Sequence, residues 1–144
     1  MRRVACLVLA GLVLGACGSH ITAGQAVRNW AHSSGFTGNL PTVFEDARIL
    51  KKIVSDPHST DNDLHTFGTV MFEDVSAANA SLPTPDRQLT TLLADGYTNL
   101  ASAAQTSYNA AAIPARRAEV IRYLEVGARD LQLAKIRLAS AEQG

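Results

Sequence analysis

The stretch VIRYLEVGARDLQLAKIRL, Val120 to Leu138, decides the fold. Its apolar and small residues Val120, Leu124, Gly127, Leu131, Ala134 and Leu138 step by 4, 3, 4, 3 and 4. That spacing lines one face of an α-helix and makes a heptad seam. A half-buried strand would alternate apolar and polar residues, and no stretch of the chain does so for long. Pro114 can open a helix but kinks one that contains it. A turn is therefore expected over Asn109 to Ile113, with the last helix running from there to the C-terminus.

Working back from this helix, the same period recurs. Leu89, Leu93, Gly96, Leu100, Ala103 and Ser107 share one side of a fourth helix, and Thr91, Asp95, Thr98, Ser102 and Gln105 the other. The small residues Gly96, Ala103, Gly127 and Ala134 are expected to let the last two helices approach closely. Leu82-Pro83-Thr84-Pro85 breaks the chain, with Thr84 read as an N-cap and Pro85 as a first-turn proline. A third helix, capped by Thr60 or Asp61, presents Leu64, Phe67, Met71, Val75, Ala78 and Leu82. A second runs from about Pro41 to Ser55. Its inner face is Val43, Ala47, Leu50 and Val54, with Glu45, Arg48 and Lys52 opposite, and Asp56-Pro57 ends it. Thr22-Ala-Gly-Gln25 reads as a capping box opening a short first helix that presents Val27, Trp30 and Ala31 and stops near Gly35. The expectation is an all-α protein, an antiparallel helical bundle of four main helices plus a short N-terminal one. The alternative joins the last two helices into one, kinked at Pro114.

The N-terminus has a different character. Arg2 and Arg3 precede an apolar run of eleven residues, Val4 to Leu14, interrupted only by Gly11. That is short of the roughly 20 residues that cross a bilayer, and it suits the apolar core of a secretion signal. Leu14-Gly15-Ala16-Cys17 then resembles the lipobox of bacterial lipoproteins, in which a leucine and two small residues precede a cysteine. The resemblance implies that the Cys17 thiol receives a diacylglyceryl group, that a peptidase cuts between Ala16 and Cys17, and that Cys17 becomes the mature N-terminus. Residues 1–16 are then a removed signal peptide, 17–21 a lipid-anchored tether and 22–144 a single domain. Two or more acyl chains anchor a protein stably where one does not. The alanine-rich composition, with arginine favoured over lysine, is similar to that of small actinobacterial envelope lipoproteins of unassigned role, a likeness that carries no residues over.

Removing Arg2 and Arg3 from 13 basic residues leaves 11 against 13 acidic, a net charge near −2. A nucleic-acid partner would call for a basic face, so none is expected. Cys6 leaves with the signal and Cys17 is consumed by lipid, so stability is expected from packing alone. Charge is uneven. Asp56 to Asp95 holds seven acidic residues and one basic, whereas Arg116 to Glu142 holds six basic and four acidic. Attraction between the third and last helices is the simplest expectation, and the alternative is a polarised surface for a partner.

No catalytic pattern emerges. Gly-x-Ser-x-Gly is absent, Glu-x-x-His is absent, and Glu73-Asp74 point about 100° apart on a helix. The densest polar cluster, Asp56 to His65, holds His58, Asp61 and Asp63, but it straddles a helix start where such residues cap. Neither a metal nor a cofactor is expected, and the chain reads as a non-enzymatic binding module. The alternative is a carrier of a lipid or haem in a pocket near His65, Phe72, Tyr97 or Tyr108.

One feature exceeds what a bundle requires. On the side of the last helix away from its seam, Val126, Leu133 and Ile136 form a second apolar stripe, interleaved with Arg122, Arg129 and Arg137. The short Trp30 helix is expected to cover it, with the arginine heads reaching water past their apolar stems. Otherwise the stripe is a face for a protein partner, a second copy or a membrane. The lipobox yields its own prediction. Cys17→Ala should leave a longer, unacylated precursor on a gel, and wild-type protein recovered soluble and unacylated from the medium would contradict it.

Overall fold

A computed structural model describes residues 21–143, which form five helices and no strand among the described residues. They are α1 Ala23–Ser33, α2 Phe36–Ser55, α3 Asp61–Asn79, α4 Arg87–Ser107 and α5 Pro114–Ala141. Cys17 and Ala16 lie outside the described residues. Helices α2 to α5 form a ring in which each packs on the next and α5 closes on α2. The short α1 touches α2 and α5. The expected all-α bundle of four main helices and a short first one is the observed one. The kinked alternative is not, since α4 stops at Ser107, the chain turns, and Pro114 opens α5 at its first turn.

The most extensive packing joins α4 to α5. Leu89, Leu93, Gly96, Leu100 and Ala103 from α4 meet Val120, Leu124, Gly127, Leu131 and Ala134 from α5, all buried. The two glycines set the spacing. A Cβ on Gly96 would stand 2.7 Å from the Leu131 side chain, and one on Gly127 would stand 2.8 Å from Leu100 and 3.0 Å from the Gly96 carbonyl oxygen. Each leucine thus fills the space that the opposite glycine leaves. Stepping from Gly96 to Leu100 along α4 moves the contact from Leu131 back to Gly127 along α5.

Three boundaries differ from expectation, each for a local reason. Helix α2 begins at Phe36, five residues before Pro41, because Gly35 adopts a left-handed conformation (φ 68°) that reverses the chain directly out of α1. Burial of Phe36 and Leu40 offsets the hydrogen bond that Pro41 cannot make. Helix α4 is capped by Asp86, whose carboxylate accepts from the Leu89 N–H at 2.7 Å, and not by Thr84. Thr84 is buried instead, with its N–H donating to the Thr90 hydroxyl at 2.9 Å. On α3 the buried position is Gly68, where a Cβ would meet the Ser107 hydroxyl at 2.4 Å, so α4 sits where Phe67 was expected to point and Phe67 is exposed.

The expected capping box of α1 is half present, with the Thr22 contact but no return bond from the Gln25 side chain, and α3 has a complete one. Thr22 accepts from the Gln25 N–H, and Thr60 with Asp63 makes a reciprocal capping box. Two glycine substitutions should separate packing from propensity. Gly127→Ala gains helix propensity yet should lower stability by about 1–3 kcal/mol through overpacking. Gly38→Ala, where an added Cβ meets nothing within 4 Å, should raise it by about 0.5–1 kcal/mol. Thermal melts followed by circular dichroism give both values, and a neutral Gly127→Ala would refute the close approach.

Candidate functional site

The second stripe of α5 is open. Leu133 is 45% exposed and Ile136 56%, while Val126 is half-buried. The short first helix does not cover it. Trp30 turns away, donating its indole N–H to the Ser81 carbonyl at 3.0 Å and packing its ring 5.2 Å from Phe36. Helix α1 instead meets the C-terminal end of α5, where Ala23 and Val27 share a depression of about 290 Å³ with Pro85, Asp86, Arg137, Ser140 and Ala141. Arg28 also donates to the Glu142 carbonyl oxygen. The apolar stripe is therefore left to solvent beside α1, not beneath it.

The three arginines of this face have separate fates. Arg137 is structural, with its guanidinium gripping the Asp86 carboxylate at 3.1 and 2.5 Å. That contact holds the Asp86 carboxyl below the usual range and ties α5 to the cap of α4. Among the described residues Arg129 pairs only with its neighbour Asp130, at 3.2 Å and with its own side chain two-thirds exposed. Arg122 lies 4.3 Å over the Tyr123 ring. Surface contacts of this kind are weak and exchange readily for a better acceptor. Arg122 and Arg129 thus remain available, with Val126 between them and Leu133 and Ile136 beyond them along the helix.

The charge asymmetry resolves differently from expectation. Ion pairs reach α5 from α2, through Lys51 and Glu125 at 2.8 Å, and from the α4 cap through Asp86. Among the described residues none joins α3 to α5. The Asp56 to His65 cluster spends its carboxylates on backbone N–H groups. Asp56 accepts from the His58 N–H, Asp63 completes the capping box, and Asp61 accepts from the Ala111 N–H at 3.2 Å. His65 rests against Tyr108 with ring centroids 4.7 Å apart. No group of three potential metal ligands converges among the described residues. Tyr97 is buried and lines an open depression of about 280 Å³ with Val75, Ala101 and Gln105, and that depression includes none of His65, Phe72 and Tyr108.

Two polar features escaped the sequence reading. Arg117, in the first turns of α5, donates to the carbonyls of Val54, Asp56 and Ser59 at 3.0, 2.6 and 3.0 Å. It caps the C-terminal end of α2, where carbonyls lack partners and the helix dipole favours a cation. Nothing in the local pattern distinguishes Arg117 from Arg116. The other feature is Asp46 of α2, whose carboxyl meets that of Asp74 across the α2–α3 interface. One Asp46 oxygen is buried without a hydrogen-bond partner, a setting that favours the protonated, neutral form of Asp46. Comparison with protein-family models, curated proteins and solved structures returns no match to this chain.

The carboxyl pair has a consequence for stability. Burial, then the neighbouring Asp74 carboxyl, pushes Asp46 up to about 6, well above its ordinary 3.8. The folded chain therefore holds a proton that the unfolded chain has released, and the contribution of Asp46 to stability falls as pH rises from about 4 to about 6. Asp46→Asn should raise the melting temperature at neutral pH and flatten the wild-type decline across that window. A variant whose melting temperature tracks wild type at every pH would show that Asp46 holds no such proton.

Proposed function

We propose that this chain is a lipid-anchored protein of the bacterial cell envelope, exposed on the extracytoplasmic side, whose bundle is a non-enzymatic binding module. The observation that carries the reading is the open α5 stripe. Leu133 and Ile136 stay in solvent on a helix whose opposite face already fills the core. The Leu14-Gly15-Ala16-Cys17 motif supplies the anchor. The absence of any helix long and apolar enough to cross a membrane among the described residues is compatible with attachment through lipid.

The binding face is Val126, Leu133 and Ile136 with Arg122 and Arg129. An apolar strip flanked by arginines suits a partner that offers both an apolar surface and negative charge. Arg137 is withdrawn from this set, because its guanidinium is committed to Asp86. The charged double substitution Leu133→Asp with Ile136→Asp tests the face. Both positions are exposed, so the melting temperature should stay within a few degrees of wild type while binding is lost. Charges buried in a core would instead unfold the domain. A collapse of the melting temperature would return the stripe to the core and remove the binding face.

A further inference from the structure

The α5 face carries a further reading, which rests on the lipoprotein proposal and names the partner. Between Cys17 and α1 lie only Gly18, Ser19, His20, Ile21 and the cap Thr22. Four extended residues span at most ~14 Å, so an anchor at Cys17 keeps Ile21 beside the lipid headgroups. Helix α1 starts against the C-terminal end of α5, with Ala23 sharing a depression with Ser140 and Ala141. The Ser140 hydroxyl in turn donates to the Ile136 carbonyl at 3.2 Å, one turn back on the same flank of α5. Ile21 is itself 64% exposed. An anchor at Cys17 would therefore lie within that reach of the end of α5 that bears Leu133 and Ile136.

Charge chooses between the exposed apolar pairs. Phe67 and Val70 on α3 are also exposed, but α3 carries Asp61, Asp63, Glu73 and Asp74 with no lysine or arginine. An anionic lipid surface repels that helix. Helix α5 also carries Glu119, Glu125 and Asp130, but Glu125 is paired with Lys51 and Asp130 with Arg129, and its lysine and five arginines outnumber these acids. Arg122 and Arg129 lie beside its apolar residues, and arginine forks bind phosphate oxygens in pairs.

We propose that the outer face of α5, through Arg122, Arg129, Leu133 and Ile136, rests on the anionic headgroup layer of the bilayer that holds the anchor, so that the bundle reclines along α5. From Arg122 to Ile136 the face runs about 21 Å along the helix axis. Leu133 and Ile136 enter the boundary between headgroups and acyl chains, as the apolar side of an interfacial helix does. Arg122 and Arg129 exchange the Tyr123 ring and Asp130 for lipid phosphates. A few exposed side chains bind a membrane weakly on their own. The tether makes this contact intramolecular, and at the high effective concentration that a short link imposes, a weak contact is populated.

The test uses the mature chain produced with its own leader, its acylation verified by mass, in phosphatidylcholine–phosphatidylglycerol vesicles carrying a nitroxide-labelled lipid. With Cys17 acylated, Leu133→Cys, Ile136→Cys and Phe67→Cys each leave one thiol for a fluorophore. Labels at 133 and 136 should be quenched several-fold more than the label at 67. Arg122→Glu with Arg129→Glu should abolish that difference while the protein stays on the vesicles. Equal quenching at all three sites in acylated, vesicle-bound protein would overturn the docking and leave the lipoprotein reading standing. Disulfide cross-linking between two copies at 133 that persists in detergent would assign the face to a second copy and overturn it as well. A chain without acyl groups on Cys17 would overturn both readings together.

Discussion

The contact of Gly96 with Gly127 is the constraint on which the rest of this bundle depends. With no Cβ on either residue, the α4 and α5 backbones come close enough for Leu131 to lie over Gly96 and Leu100 over Gly127. Close-packed interiors lose stability when a leucine faces a void or a clash, so the two glycines and two leucines act as one unit. Gly68 repeats the device one interface away, where α3 meets Ala104 and Ser107 of α4. The Ser107 hydroxyl then turns into α3 and donates to the Leu64 carbonyl at 3.1 Å. Helix α4 is therefore held closely on two sides by glycines, one its own and two on its neighbours.

Helix α5 is fixed at both ends by arginines that serve the caps of other helices. Arg117 closes the C-terminal end of α2, and Arg137 grips Asp86 at the N-cap of α4. Each uses a charge-assisted contact on a group that a helix end would otherwise leave to water. The arrangement bears on function by subtraction. Of the arginines on the outward flank of α5, Arg137 is occupied by the fold, and Arg122 and Arg129 are left to solvent-exposed contacts.

Much of this was legible in the sequence because periodicity reports burial. The seam from Val120 to Ala134 and the α4 face from Leu89 to Ser107 are buried where the three-and-four spacing puts them. Pro114 marked the start of α5, and the glycines marked the close approach. The errors arose where one tertiary contact outweighs a local rule. Phe67 fits the apolar period of α3, but α4 lies against its neighbour Gly68, and the helix rotates to suit the closer approach. Pro41 looks like a helix start until Gly35 turns the chain and Phe36 finds a buried place. Asp46 and Asp74 are 28 positions apart, and two acidic residues on separate helices carry no sign that they will meet. The cover assigned to the Trp30 helix failed for a similar reason, since Ser81 and Phe36 claim the indole.

The exposed stripe has an energetic meaning because the core is already complete without it. Val120, Leu124, Leu131 and Ala134 are buried whether or not anything meets Leu133 and Ile136. Removing the outward residues therefore costs the fold little, and folding alone supplies no reason to place branched apolar side chains there. An exposed apolar pair also carries a cost in solution, since it favours association between copies. A chain held by lipid beside a headgroup layer meets that cost differently. Under the docking proposal its apolar flank would have an amphipathic surface within reach at all times, and Arg122 and Arg129 would match the charge of an anionic one. On the proposed membrane-tethered reading, the same side chains that would be a liability on a free bundle would give a tethered one a fixed orientation.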